Sequence, residues 1–334
     1  MDSGAVMNRF TIGIDIGGTK IAGALVDRSG RVTGRVESAT PASEGGPAVM
    51  SQVIDMVAQL RHGADGEVEG IGVAAAGQID PETGVVIQAT KLLPDWKGTP
   101  IKGILEERFG LPARAINDAS GAALGEGKFG AARNVRDFIC ITIGTGVGGG
   151  VVSEGKLLPG ALGVAGSIGH MTIDCDGRPC NCGSVGCLEA YVSGTAILDR
   201  VLELADTRGV DSDFVKRLRS AEPRSPNLIG EAMRDELARE VVREAGECLG
   251  WGLVSLLNLL NPAMVVIGGG VAKFGDLLLD PARRIACKHS LRGESDPVRI
   301  VCAELGNDAG LVGAASLIWE ERTYVNGDER NGRP

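Results

Sequence analysis

The densest group of chemistry-bearing side chains in the sequence lies in GSIGHMTIDCDGRPCNCGSVGC, residues 166 to 187, which holds one of three histidines and four of eight cysteines. Three readings compete for it: a disulfide staple, a scatter of buried thiols, or a metal site. His170 is followed after nine residues by Cys180, then by Cys182, and after four more by Cys187. Three thiolates and one imidazole complete the tetrahedron of Zn2+ with no open position, which marks a structural rather than a hydrolytic site. Such a metal folds a loop around itself, with Cys175 left inside it as a spare thiol. A histidine bound through one ring nitrogen can present the other to a hydroxyl, its ring orientation fixed by the metal.

A second kind of chemistry is suggested by three glycine turns, each following an apolar run: Gly17, Gly18, Thr19 and Lys20; Gly144 to Gly150, which includes Thr145 and Gly146; and Gly268, Gly269 and Gly270. Without a Cβ, backbone N–H groups can converge on phosphate oxygens. None of the three matches G-x-x-x-x-G-K-[ST], and the dinucleotide fingerprint lacks its setting. One such loop would read as a tight turn; three together point to a nucleotide site. Asp15, just ahead of the first, could hold Mg2+ through water, and Thr19 and Thr145 offer hydroxyls beside phosphates. Asp118 ends the short strand ARAIND. There a carboxylate can accept a hydroxyl proton as that oxygen attacks phosphorus, while also serving as a helix N-cap.

These residues need a framework. FTIGIDIGGTKIAGALVDRSG alternates β-branched residues, turns on glycines and alternates again, predicting a β-hairpin. A helix over about 47–61, the buried strand VEGIGVAAAG, a helix over about 100–109 and the strand before Asp118 then give an α/β layer. RDFICITIGTGVGGGVV repeats the strand, glycine turn, strand pattern, which suggests two related sheet domains. Helices dominate about 194–261, broken by the polar AEPRSPN; AMVVIGGGVAKFG gives strand, glycine loop and helix; NDAGLVGAASLIWEERT gives a closing helix.

Composition narrows the setting. A length of 334 residues suits about two domains, and a net charge of −9 argues against a broad nucleic-acid or anionic-membrane surface. No basic segment and apolar run open the sequence as a secretory signal would, so the expected compartment is the cytosol. There, clustered cysteines favour metal over disulfide. LGWGLVSLLNLLNPAMVVIGGGVA is interrupted too early to span a bilayer and reads as a core helix followed by a buried strand. Cys140, Cys248, Cys287 and Cys302 read as core thiols, and His62 and His289 as surface residues.

The stretches IDIGGTKIAGALVD, INDASGAALGE, ITIGTGVGGGVV, GHMTIDCDGRPCNCGSVGCLEAYVSG, NPAMVVIGGGV and DAGLVGAA together resemble the ROK (repressor, open reading frame, kinase) family of sugar kinases and sugar-responsive repressors, over about residues 10–320. The resemblance implies two actin-like (ribonuclease H-like) α/β domains with ATP and sugar in the cleft between them. Residues 1–116 with about 306–322 would form the smaller domain and 117–305 the larger, carrying the zinc loop 166–190; residues 323–334 would be a disordered tail. It implies Asp118 as catalytic base and Gly77, Gln78, Asn117, Ser167, His170 and Glu189 around the sugar. The first two glycine loops would face the phosphates and Gly268–Gly270 would lie near the adenosine. His170, Cys180, Cys182 and Cys187 would hold structural zinc, and a homodimer is the family habit.

This sequence departs from the family pattern in two places. Family kinases usually carry glutamate three residues before the zinc histidine, where this chain has Ser167. Gln78 stands where glucokinase-like members commonly have proline and N-acylmannosamine kinases arginine. Glucose, an amino- or N-acyl-hexose and a cyclitol therefore all remain candidate substrates. The rival classes are a ROK repressor and a catalytically silent sugar-binding protein. A repressor's helix-turn-helix needs tens of residues, and fourteen precede Asp15. Against silence stand Asp118 and all three glycine loops.

Overall fold

The computed structural model describes residues 8–89, 93–221 and 226–319. In chain order it contains β1 (Arg9–Ile16), β2 (Lys20–Asp27), β3 (Val32–Ala39), α1 (Gly46–His62), β4 (Glu67–Ala75), β5 (Gln78–Ile79), β6 (Val86–Gln88), α2 (Ile101–Phe109), β7 (Ala113–Asn117) and α3 (Asp118–Phe129). There follow β8 (Phe138–Ile143), β9 (Val147–Ser153), β10 (Lys156–Leu157), α4 (Glu189–Val192), α5 (Gly194–Arg208), α6 (Asp213–Ser220), α7 (Glu236–Leu260), β11 (Met264–Gly268), α8 (Asp276–His289), β12 (Arg299–Cys302) and α9 (Ala309–Ser316). Two compact units result, one of residues 1–136, 150–166 and 304–334, the other of 137–149 and 167–303.

In the first unit the sheet order is β3-β2-β1-β4-β7, antiparallel from β3 to β1 and parallel from β1 to β7. The period of two divides β1 between faces. Ile12, Ile14 and Ile16 pack with Val49, Val53 and Val57 of α1 in one buried cluster. Thr11, Gly13 and Asp15 therefore point to the other face, which α9 covers: a Cβ on Gly13 would strike the Leu311 carbonyl, and one on Gly72 of β4 the Ala314 carbonyl. Helix backbone thus lies directly on sheet backbone, bringing the first turn of α9 over Asp15.

Glu126 fixes α3 in this unit. Fully buried, its carboxylate accepts N–H bonds from Ala131 (2.8 Å), Glu304 (3.1 Å) and Leu305 (2.8 Å), tying the returning chain to the helix that begins at Asp118. Glu126→Ala would leave these part-buried donors without their acceptor, at up to about 1–3 kcal/mol for each left unsatisfied. A loss on the order of 3 kcal/mol in chemical denaturation is expected, and an unchanged midpoint would refute this role.

The second five-stranded sheet has the order β10-β9-β8-β11-β12, with β8, β11 and β12 parallel. Its central strands are apolar on both faces, as a covered parallel sheet requires: all five residues of β11 are buried. The glycine turns after β8 and after β11 lie at the same, C-terminal edge. Among the helices of the second unit, α7 begins at Asp235, whose carboxylate accepts the Ala238 N–H (2.9 Å), and ends at Asn261 in the left-handed conformation.

Several expectations need correction. Of the four thiols assigned to the core only Cys140 is buried; Cys248 and Cys287 are half-buried, and Cys302, last residue of the sheet-edge strand β12, is exposed. His289 is exposed, as expected of a surface residue, and its ring lies 4.6 Å from that of Trp251. The closing helix ends at Ser316. The tail 323–334, the last part of WEERT, most of AEPRSPN and the start of TKLLPDWKGTPI lie outside the described residues. No described helix is long and apolar enough to cross a membrane.

Candidate active site and metal centre

In the first unit, β1, β4 and β7 end in register at Ile16, Ala75 and Asn117. Ligands of open α/β sheets bind beyond this C-terminal edge of parallel strands. Asn117, not Asp118, is the N-cap of α3: its Oδ1 accepts from Ala119 N (3.1 Å) and Ser120 N (3.2 Å). Its Nδ2 donates to Gly77 O and to Asp118 Oδ1, both at 2.8 Å. Both amide hydrogens and both carbonyl lone pairs are thus engaged, so a sugar hydroxyl would reach Asn117 only by displacing one of these bonds. Asp118 Oδ1 also accepts from Ala119 N (2.8 Å), leaving Oδ2 as the oxygen outside these bonds.

Burial pushes the Asp118 carboxyl above its ordinary range, against the pull of the Ala119 and Asn117 hydrogen bonds. Burial and then the Asp118 charge raise Asp15 to about 7, with Lys20 and Arg35 opposing. Two crowded carboxylates at a strand edge are a setting that a divalent cation would relieve, and Asp15 fits Mg2+ on that ground. In the first glycine turn, Gly17 N donates to Lys20 O (2.9 Å) and Thr40 Oγ1 donates to Gly17 O (2.7 Å). Thr19 and Lys20 are exposed, and the Lys20 amine pairs with Glu37 at 3.2 Å. Gln78 pairs with Gln88 in the β5/β6 hairpin, and the buried Trp96 indole donates to Ala76 O (2.9 Å), holding the strand exit that carries Gly77 and Gln78. Trp96 escaped the sequence reading.

In the second unit, loop 144–147 and the metal segment are in contact. Glu189, first residue of α4, accepts the Val147 N–H at 2.8 Å through Oε2, and its Oε1 lies 3.9 Å from Cys180 Sγ. Gly269, at φ 86°, lies where a Cβ would strike the Ile143 carbonyl, so the Gly268–Gly270 turn is seated against the end of β8. Ser167 and His170 are exposed at the two ends of one short helical turn, the His170 N–H donating to Ser167 O (3.0 Å).

The donor atoms of His170, Cys180, Cys182 and Cys187 all lie within 4.8 Å of one another. Cys182 and Cys187 sulfurs are 3.7 Å apart, and Cys180 Sγ is 3.8 Å from His170 Nδ1. Bonds of about 2.3 Å to a tetrahedral centre place two sulfurs about 3.8 Å apart, so the cluster fits zinc. Burial, with hydrogen bonding among the thiols, pushes Cys180 up to about 12, whereas the Ser184 N–H holds Cys182 below the usual thiol range. Since Nδ1 faces the cluster, Nε2 is the nitrogen left to His170. Cys175 is exposed and lies outside this group. A groove of about 590 Å³ between α7 and α8, lined by Arg239, Arg243, Arg284, Asp276 and Asp280, contains none of these residues.

A model of the ROK family matches residues 11–321. The chain belongs to the ROK family. Among its ROK relatives, a glucokinase of Streptomyces coelicolor is 38% identical over 318 residues, covering 93% of this chain and 98% of the relative. An N-acetylmannosamine kinase of Salmonella typhi is 34% identical over 313 residues, covering 92% and 97%. The crystal structure of a ROK glucokinase from Streptomyces griseus with glucose and AMPPNP superimposes with a TM-score of 0.81 at 39% identity, covering 92% of this chain and 98% of that one. The α/β fold read from the sequence is the ROK kinase fold.

Proposed function

We propose that this chain is an ATP-dependent hexose kinase of the glucokinase type, transferring the γ-phosphoryl group to the primary 6-hydroxyl of a hexose or close analogue. The observation that carries the reading is Asp118, a carboxylate held through Oδ1 at the edge of the parallel strands, its affinity for protons raised by burial. A base must hold a proton only in passing, and a raised carboxylate suits that task near neutral pH. Asp118 takes the hydroxyl proton as the oxygen attacks phosphorus; Asn117 keeps the carboxylate aimed. Phosphates would lie on the N–H groups of Gly17–Lys20 and of the Thr145–Gly146 turn, and the adenosine beside Gly268–Gly270. Mg2+, held at Asp15, supplies charge neutralisation during phosphoryl transfer.

Gly77, Gln78, Ser167, His170 and Glu189 would line the sugar site. Zinc at His170, Cys180, Cys182 and Cys187 supplies order to the segment that bears two of them. The test is ADP release across hexoses, aminohexoses, N-acylhexosamines and cyclitols; folded protein that turns over none of them would refute the kinase. The same reading makes the protein a cytoplasmic homodimer with no nucleic-acid or membrane partner. Light scattering tests the dimer.

Ser167 bears on which sugar is preferred. Serine is shorter and neutral where related kinases place a glutamate, so hydroxyls at the C1/C2 side of glucose lose a charged acceptor. An unmet buried polar group costs about 1–3 kcal/mol, roughly 5- to 150-fold. Ser167→Glu is therefore expected to raise kcat/KM for glucose by about that factor, while a hexose modified at C1 or C2, or a cyclitol, is the better substrate of the wild type. A wild type as efficient on glucose as on every analogue, with no gain from the glutamate, would show that Ser167 is neutral.

A further inference from the structure

The Gly144–Val147 turn presents two kinds of polar group, and which of them faces outward is decided by a residue that no motif singles out. A trans peptide is planar, so its C=O and the following N–H point in opposite directions. Anchoring the carbonyl therefore aims the amide. The Gly144 carbonyl accepts the Gly194 N–H at 2.8 Å, and the Thr145 carbonyl accepts the Thr195 hydroxyl at 2.9 Å. The N–H groups on the far sides of these two peptides belong to Thr145 and Gly146. Neither has a partner among the described residues, whereas the next, Val147 N–H, is bound by Glu189 at 2.8 Å. Two adjacent free N–H groups make an anion nest.

The anchor is itself supported. Ser193 caps α5, its Oγ accepting from Ala196 N at 3.1 Å, and lies 3.1 Å from Thr195 Oγ1. With Thr195 donating to Thr145 O, the Ser193 hydroxyl donates to Thr195, and each group in this chain has a consistent role. The chain rests on the first turn of α5, so a rigid helix rather than a loop holds the two peptides.

We propose that Thr195 is a positioning residue for nucleotide phosphate: its hydroxyl locks the Thr145–Gly146 peptide with the carbonyl inward and the Gly146 N–H outward. Without that bond the peptide can rotate and present a carbonyl oxygen to an anion. The inference rests on the reading of this turn as a phosphate loop. Thr195→Val keeps the shape and removes the donor, Thr195→Ser restores it, and Gly146→Ala tests the loop itself, because its Cβ would strike the Glu189 carboxylate that holds the Val147 N–H and so displace the turn.

Binding of ATP and of adenosine is measured by calorimetry, and of sugar in the absence of nucleotide. Thr195→Val is expected to weaken ATP about 3- to 10-fold, with adenosine and sugar affinities unchanged and Thr195→Ser close to wild type. Wild-type ATP affinity in Thr195→Val alongside weakened ATP in Gly146→Ala would overturn the positioning role alone. Unaltered ATP affinity in Gly146→Ala would overturn the phosphate reading and the proposal with it. Equal weakening of ATP, adenosine and sugar would reduce Thr195 to a structural residue.

Discussion

Asp118→Asn is expected to lower kcat by about 100- to 10,000-fold with little change in sugar or ATP affinity, because the amide keeps the shape and the Ala119 N–H bond but cannot accept a hydroxyl proton. Retention of more than about a tenth of kcat would remove Asp118 as the base. The pH profile carries the same information. Asp118 is raised by burial, and burial with the Asp118 charge raises Asp15 to about 7, so kcat/KM should fall as pH drops through the neutral region, higher than an ordinary carboxylate would require. Stability moves the other way. A carboxyl whose folded pKa exceeds its unfolded value favours folding fully below the unfolded value, and that contribution is lost as pH rises through the folded one. For Asp15 the window runs from 3.8 to about 7. Asp118→Asn, which removes a half-buried carboxylate whose charged form is disfavoured, should therefore melt no lower than wild type at pH 8. A variant that is inactive because it is unfolded would fail that control.

Much of the site was legible because its parts are local. A strand of β-branched residues running into glycines, or four metal donors inside one loop, is contained in a short window of sequence, and the folded chain assembles it with little reference to the rest. The parts that were not legible depend on distant pairings. Nothing near Glu126 foretells that it will be capped by the N–H groups of Glu304 and Leu305, nor does any local pattern connect Trp96 to the Ala76 carbonyl. Thr195 reads as an ordinary helix-start residue, and its bond to Thr145 exists only because α5 begins beside the β8 turn. The cap of α3 is Asn117 rather than Asp118 for a different reason: both are good cap residues, and strand register decides between them.

Cys182→Ser is expected to have the second large effect, on folding and sugar binding together. Zinc should copurify at about one per chain, since apparent zinc-binding energies of about 10–16 kcal/mol become folding energy where the site forms only in the folded chain. Removing one thiolate of the four forfeits several kcal/mol of that, and the melting temperature should fall by about 10 °C. The damage reaches the sugar site by a short route. His170 is itself a ligand, and Glu189 stands two residues past Cys187, its Oε1 3.9 Å from Cys180 Sγ. Glu189 also binds the Val147 N–H, so disorder in the metal segment loosens the neighbouring glycine turn. Sugar affinity should therefore drop by about 10- to 100-fold, the range seen when supports around a metal site are lost, with a smaller loss in ATP affinity. Thr195→Val reverses that order, touching nucleotide and sparing sugar, so the pair of variants separates the metal's influence from the peptide anchor's. Chelation of the wild type should reproduce the Cys182→Ser phenotype and added zinc should reverse it. Metal-free protein with full activity and an unchanged melting temperature would show that the four donors hold no structural ion.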